Sequence, residues 1–117
     1  MAKTIQRRID GIVFVELKGK IDAATAAATE TLLFDHTAGA RQLVVDLSAV
    51  GYINSAGLRV LVAAGQRMHA VGGRLIICAV PSYVKEVLDI AGLSLLFPIS
   101  DSRAEALADA DADAALR

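Results

Sequence analysis

Two short runs decide what this chain can become. Gln42-Leu-Val-Val-Asp-Leu47 and Arg74-Leu-Ile-Ile-Cys-Ala79 are apolar nearly throughout and rich in β-branched residues, the composition of strands buried on both faces. A loop and then a segment of helical spacing follow each run. In the segment opening at Asn54-Ser55, the residues Leu58, Leu61, Val62, Gly65 and Met68 fall on a core stripe; Ser55, Arg59, Ala63 and Gln66 fall on the opposite one. Gly72-Gly73 ends that helix. Pro81-Ser82 opens a third, with Val84, Val87, Leu88 and Ala91 facing the core up to Gly92. A buried strand followed by an amphipathic helix, twice over, predicts a parallel sheet with helices packed on it.

The flanks complete the pattern. Asp10-Gly11 between two β-prone runs predicts a hairpin, with strands at about 3–9 and 12–18. Gly19-Lys20-Ile21-Asp22 is expected to leave the sheet, with Asp22 capping a first helix over Ala23 to Ala38 that stops at Gly39. The Gln42 to Leu47 strand runs into a Ser48-Ala49-Val50-Gly51 loop. Leu95 to Ile99 reads as a short last strand, placed at an edge by Pro98. A final helix begins near Asp101-Ser102, where Ser102 and Glu105 have capping-box spacing. Its end, Asp109 to Ala115, alternates Asp and Ala without an apolar stripe, so residues 109–117 are expected to fray. The expected architecture is one α/β domain over residues 1–117. It has a mixed sheet, built from an N-terminal hairpin plus βα units, and about four helices.

Composition narrows the function. With 12 basic and 13 acidic residues among 117, the net charge is −1, which leaves no electrostatic excess for nucleic acid. Apolar stretches such as Leu75 to Val80 and Val60 to Ala64 fall far short of the roughly 20 residues that span a bilayer, so no membrane insertion is expected. The basic segment Met1 to Arg8 runs into an alternating pattern, not an apolar targeting core, which points to the cytoplasm. Cys78, the single cysteine, lies inside an apolar run and reads as a core residue.

Enzyme signatures are missing. There is no Gly-rich phosphate loop, no Cys/His metal spacing and no nucleophile elbow. The two histidines, His36 and His69, fall near the ends of predicted helices, where they serve the dipole or meet solvent. We expect no catalysis, no metal and no cofactor.

What remains is the stretch Val45 to Arg59, in which strand, loop and helix start bring a serine hydroxyl to unsatisfied backbone N–H groups. Those groups and the positive end of the helix dipole tolerate an anion, so a phosphate on Ser55 need not unfold the protein. The plainer alternative is that Asn54 or Ser55 is simply the helix N-cap.

The stretch resembles the signature of the STAS family, specifically its bacterial anti-sigma-factor antagonists. These carry an Asp-Ser-Ser/Thr-Gly-Leu type motif at the start of the second helix. The first serine of that motif is the family's phosphoacceptor and matches Ser55. Gly19-Lys20-Ile21-Asp22 resembles the family's Gly-Glu-Ile/Leu-Asp. Gly72-Gly73-Arg74-Leu75 resembles its turn and fourth strand, and Val84 to Gly92 its third helix. Asn54 stands where the motif often has Asp, Ala56 where it has Ser or Thr, and Lys20 where it often has Glu.

The resemblance implies a STAS domain that binds an anti-sigma factor with GHKL-type serine-kinase activity while Ser55 is unmodified. Phosphorylation of Ser55 releases the partner and a serine phosphatase resets the switch. Asp22, Asn54, Ser55, Ala56 and Arg59 would form the partner-binding face. The alternative is an unphosphorylated STAS subunit of a lipid-transport ATPase or of a signalling scaffold.

Overall fold

The computed structural model describes residues 7–9, 11–37 and 39–115. β1 (Arg7–Ile9) pairs antiparallel with β2 (Ile12–Ile21). β3 (Gln42–Ile53), β4 (Arg74–Cys78) and β5 (Ile99–Ser100) then add in order, each parallel to the strand before it. The result is one mixed five-stranded sheet in the order β1-β2-β3-β4-β5. Among the described residues four α-helices accompany it: α1 (Ala26–Asp35), α2 (Ser55–Ala70), α3 (Ser82–Ile90) and α4 (Arg103–Ala115). The α/β class, the hairpin and the element order are those read from the sequence. Residues 3–6 of the expected first strand, Asp10 of its turn and Ala38 lie outside the described residues.

Alternation along the strands sorts side chains onto two cores. Val13, Val15, Leu17, Leu43, Val45, Leu47, Leu75 and Ile77 face the layer that holds Leu33 of α1, Leu61 and Met68 of α2, and Leu88 of α3. At about 1.5–3 kcal/mol per fully buried aliphatic side chain, this layer dominates the stability of the fold. On the other face, Ile12, Phe14, Val44, Ile76 and Cys78 meet Ala106, Leu107 and Ala110 of α4.

Several boundaries differ from expectation, each for a local reason. β2 and β3 continue past Lys18 and Leu47, pairing as far as Ile21↔Ile53. The small residues at 48–51 suggested a loop, but the strands carry them by shifting register between Glu16 and Lys18 and again between Gly19 and Lys20. α1 is shorter than Ala23 to Ala38, because the Asp22 carboxylate closes a turn before the helix begins. The core stripe of α2 is rotated toward Gly57, Val60, Leu61, Ala64, Gly65 and Met68, leaving Leu58 and Val62 half-buried. Leu95 to Ile99 is not a strand. A 3-10 turn occupies Leu93–Leu95 and β5 starts only at Ile99, just beyond Pro98.

The acidic helix α4 also differs, because Ala106 and Ala110, one turn apart, are fully buried. The sheet face beneath them already carries large side chains, so only a small-residue stripe lets the helix backbone approach. Polar contacts fasten both ends. The Ser102 hydroxyl accepts from the Glu105 N–H at 3.1 Å, and Arg103 reaches Asp46 at 3.3 Å and Glu16 at 3.1 Å while stacking over Phe14. Further along, Gln42 Nε2 donates to the Ala110 carbonyl at 2.8 Å and Arg74 pairs with Asp109 at 3.1 Å. Among the described side chains, the apolar stripe and these bonds reach as far as Ala110. Deleting Asp111 to Arg117 is therefore expected to lower Tm by no more than about 2 °C, whereas ending the chain before Ala106 should abolish cooperative melting in calorimetry.

Cys78 is completely buried. Desolvation first, then the neighbouring Asp46 carboxylate, pushes its thiol up to about 12, against a smaller lowering by Arg103. The reactive thiolate is thus scarce near neutrality, and a disulfide-exchange reagent in native buffer at pH 8 should label Cys78 only as fast as the protein unfolds. Because the folded pKa is raised, this group's contribution to stability is complete below about pH 9 and is lost as pH climbs toward 12.

Candidate functional site

The site is assembled where β2 and β3 end together. After Ile53 the backbone of Asn54 is extended, and its side chain accepts from the N–H groups of Ala56 at 3.1 Å and Gly57 at 3.5 Å. Asn54 is therefore the N-cap of α2, in keeping with the strong preference of Asn for that position. Ser55 is the first helical residue. It is exposed, and its hydroxyl makes no hydrogen bond among the described residues.

Gly57 holds the helix start against the sheet. A Cβ there would lie 2.4 Å from the Ile21 carbonyl oxygen and 2.7 Å from Ile53 Cγ1. The same carbonyl accepts the Asn54 N–H at 3.3 Å. Ser55 is thus presented on a helix whose first turn is tied to two strands.

Asp22 comes next to this point because Ile21 pairs with Ile53. It is half-buried and does not cap α1 as expected. Its carboxylate accepts from the N–H groups of Ala24 at 3.0 Å and Thr25 at 3.3 Å, while its own N–H donates to Thr25 Oγ1 at 3.0 Å. Thr25 is the N-cap of α1 and donates its hydroxyl to the Lys20 carbonyl at 2.8 Å. Sequence reasoning missed Thr25. The Asp-x-x-Thr spacing, in which each side chain can serve the other's backbone, was the available signal.

Of the five residues expected on a partner face, Ser55 and Arg59 are exposed one turn apart on α2, and Asn54, Ala56 and Asp22 are half-buried beside them. The first turn of α2 carries no acidic residue, so nothing on the helix offsets the positive end of its dipole. His36 caps the end of α1 and His69 lies in the last turn of α2. Among the described residues no cluster of three or more His, Cys, Asp or Glu side chains could hold a metal ion. A groove of about 250 Å³, lined in part by Val62, Gln66, His69, Leu96 and Phe97, runs beside the later turns of α2.

The second residue pair that sequence reasoning missed is Asp46 with Arg103. Asp46 is only 2% exposed, and besides Arg103 it accepts the Ser48 N–H at 2.7 Å. An acidic residue inside an otherwise apolar strand demands a partner, and that was the signal. This contact fixes the point at which α4 and β4 stop covering β2 and β3.

Fold and site together define a small α/β domain whose distinctive feature is a free serine at the start of its second helix. The STAS domain model matches residues 4–106, and the chain belongs to the STAS domain family. It is 36% identical over 107 residues to a Bordetella bronchiseptica protein named as an anti-sigma factor antagonist, BtrV, covering 91% of this chain and 92% of that one. The anti-sigma F factor antagonist of Paenibacillus polymyxa is 28% identical over 102 residues, covering 85% and 86% of the two chains. Among solved structures, an anti-sigma factor antagonist from Mycobacterium paratuberculosis superposes with a TM-score of 0.83 at 28% identity, covering 93% of each chain.

Proposed function

We propose that this chain is an anti-sigma-factor antagonist switched by phosphorylation of Ser55. Unmodified, it binds an anti-sigma factor that is also a GHKL-type serine kinase, and so frees a sigma factor for transcription. The kinase phosphorylates Ser55, the complex separates, and a serine phosphatase restores the binding form. The domain works in the cytoplasm as a binding module and kinase substrate, catalyses nothing itself and needs no cofactor. Relatives named as antagonists along nearly the whole chain support this reading.

One observation carries the choice of Ser55. Capping is done by Asn54, which leaves the Ser55 hydroxyl exposed and without a structural duty. A phosphate added there disrupts no internal bond and meets the favourable end of a helix. The docking face then comprises Asp22, Asn54, Ser55, Ala56 and Arg59.

Mass spectrometry of the protein isolated from its own cells tests the switch directly. The expected result is a fraction of molecules heavier by one phosphate, mapped to the peptide that contains Ser55. Absence of phosphate under every growth condition, together with copurification of a transport ATPase or a signalling scaffold, would favour the alternative of an unphosphorylated STAS subunit. Arg59→Glu should weaken binding to the anti-sigma factor by roughly tenfold without changing Tm, since Arg59 is exposed. Isothermal titration with matched melting curves checks both halves.

A further inference from the structure

β4 pairs with β3 only as far as Asp46↔Cys78, and Arg103 at the start of α4 reaches no further than Asp46 and Glu16. Beyond that line β2 and β3 continue as a two-stranded ribbon to Ile21 and Ile53. A ribbon of two strands is marginal on its own, yet this one is held firmly. Ile21 and Ile53 are buried in the main core, Asn54 bonds to the Ile21 carbonyl, and Thr25 bonds to the Lys20 carbonyl. Beside the small exposed residues Ser48, Ala49 and Gly51, the large side chains the ribbon offers to solvent are Lys18, Lys20 and Tyr52, the last two paired across the strands, with Tyr52 37% exposed.

Among the described residues Lys18, Lys20 and Arg59 make no ion pair. Of the nearest carboxylates, Asp22 is turned onto its own loop, and Glu16, two residues before Lys18 on the same strand face, is held with Asp46 by Arg103. Lys18 and Lys20 therefore stand exposed without a carboxylate of their own on the ribbon, although the whole chain carries −1. Exposed, unpaired lysines next to an exposed aromatic ring suit a partner that brings carboxylates and an apolar edge.

We propose that the solvent face of the β2–β3 ribbon, carried by Lys18, Lys20 and Tyr52, is a docking surface for a carboxylate-bearing segment of the partner protein. The inference rests on the Ser55 reading and deepens it. Ser55 follows two residues after Ile53, so a phosphate there brings about −1.5 to −2 charges to the end of the ribbon that carries the two lysines and opposes their attraction for the partner. The ribbon steers and Ser55 decides.

Two arms test this. In the first, hexaglutamate is titrated into the labelled protein at low salt and followed by amide NMR. Shifts are expected at Lys18, Lys20 and Tyr52, disappearing at high salt and in the Lys18→Gln/Lys20→Gln variant, whose Tm should match wild type. No shifts, or shifts confined to other residues, would overturn the proposal. So would shifts of these amides by phosphatidylglycerol vesicles without any by hexaglutamate, which would make the ribbon a membrane contact.

The second arm uses the cell's own anti-sigma factor. Lys18→Glu/Lys20→Glu should bind it at least about tenfold more weakly, mainly through a slower on-rate, while Ser55→Ala stays tight. Undiminished affinity of the double variant beside a Ser55→Glu variant that does not bind would sink the ribbon and leave the Ser55 switch standing. Loss of binding in the lysine variant with Ser55→Glu unaffected would keep the ribbon and sink the switch.

Discussion

Ser55→Glu is expected to weaken binding to the anti-sigma factor by roughly a hundred- to a thousandfold, and Ser55→Ala to bind as the unmodified protein does. A loss of that size corresponds to about 3–4 kcal/mol, which burying or repelling one charge in an interface readily supplies. Neither variant should melt more than about 2 °C from wild type, because the Ser55 side chain is exposed and Asn54 does the capping. Binding would therefore follow the charge at position 55, not the stability of the fold. Isothermal titration at fixed salt, with melting curves on the same samples, measures both. Equal affinity for wild type and Ser55→Glu would reduce Ser55 to an ordinary helix residue.

The largest effect on stability is expected from a single methyl group at Gly57. Alanine in place of glycine inside a helix usually gains up to about 1 kcal/mol, but here the new Cβ would lie 2.4 Å from the Ile21 carbonyl oxygen. That oxygen belongs to a paired strand and cannot step aside as a flexible side chain can. The helix start must lift off the sheet, at a net cost of about 1–3 kcal/mol, which is roughly 5–15 °C in Tm for a domain of this size. Lifting α2 also strains the Asn54 cap, so Gly57→Ala should weaken partner binding as well, although residue 57 is buried. A calorimetric Tm at or above wild type would show that the sheet and helix separate more easily than the contact implies.

The parts of this fold that could be read in advance are those where one local rule governs. Apolar runs gave β3 and β4 their buried cores, the spacing of Val84 and Leu88 gave α3 its inner face, and Asn54-Ser55 marked the start of α2. The parts that escaped depend on what lies opposite. No property of Ser48-Ala49-Val50-Gly51 alone shows that this segment, bulged twice against β2, stays paired. Ala106 and Ala110 form an apolar face only because Phe14 and Ile76 supply the bulk they lack. The candidate site divides the same way. Ser55, Asn54 and Arg59 follow from the start of one helix, but their closeness to Asp22 depends on the Ile21↔Ile53 register. The inward turn of the Asp22 carboxylate depends on Thr25.

β3 crosses the whole molecule. Its first residue, Gln42, holds the Ala110 carbonyl, and its last, Ile53, leads into Ser55. Twelve strand residues span about 35–40 Å, matching the longest dimension of 36 Å. A biotin or fluorophore attached beyond Asp111 therefore stands at the pole opposite Ser55. Immobilised through that end on a sensor surface, every molecule would point Ser55 outward, toward whatever flows past.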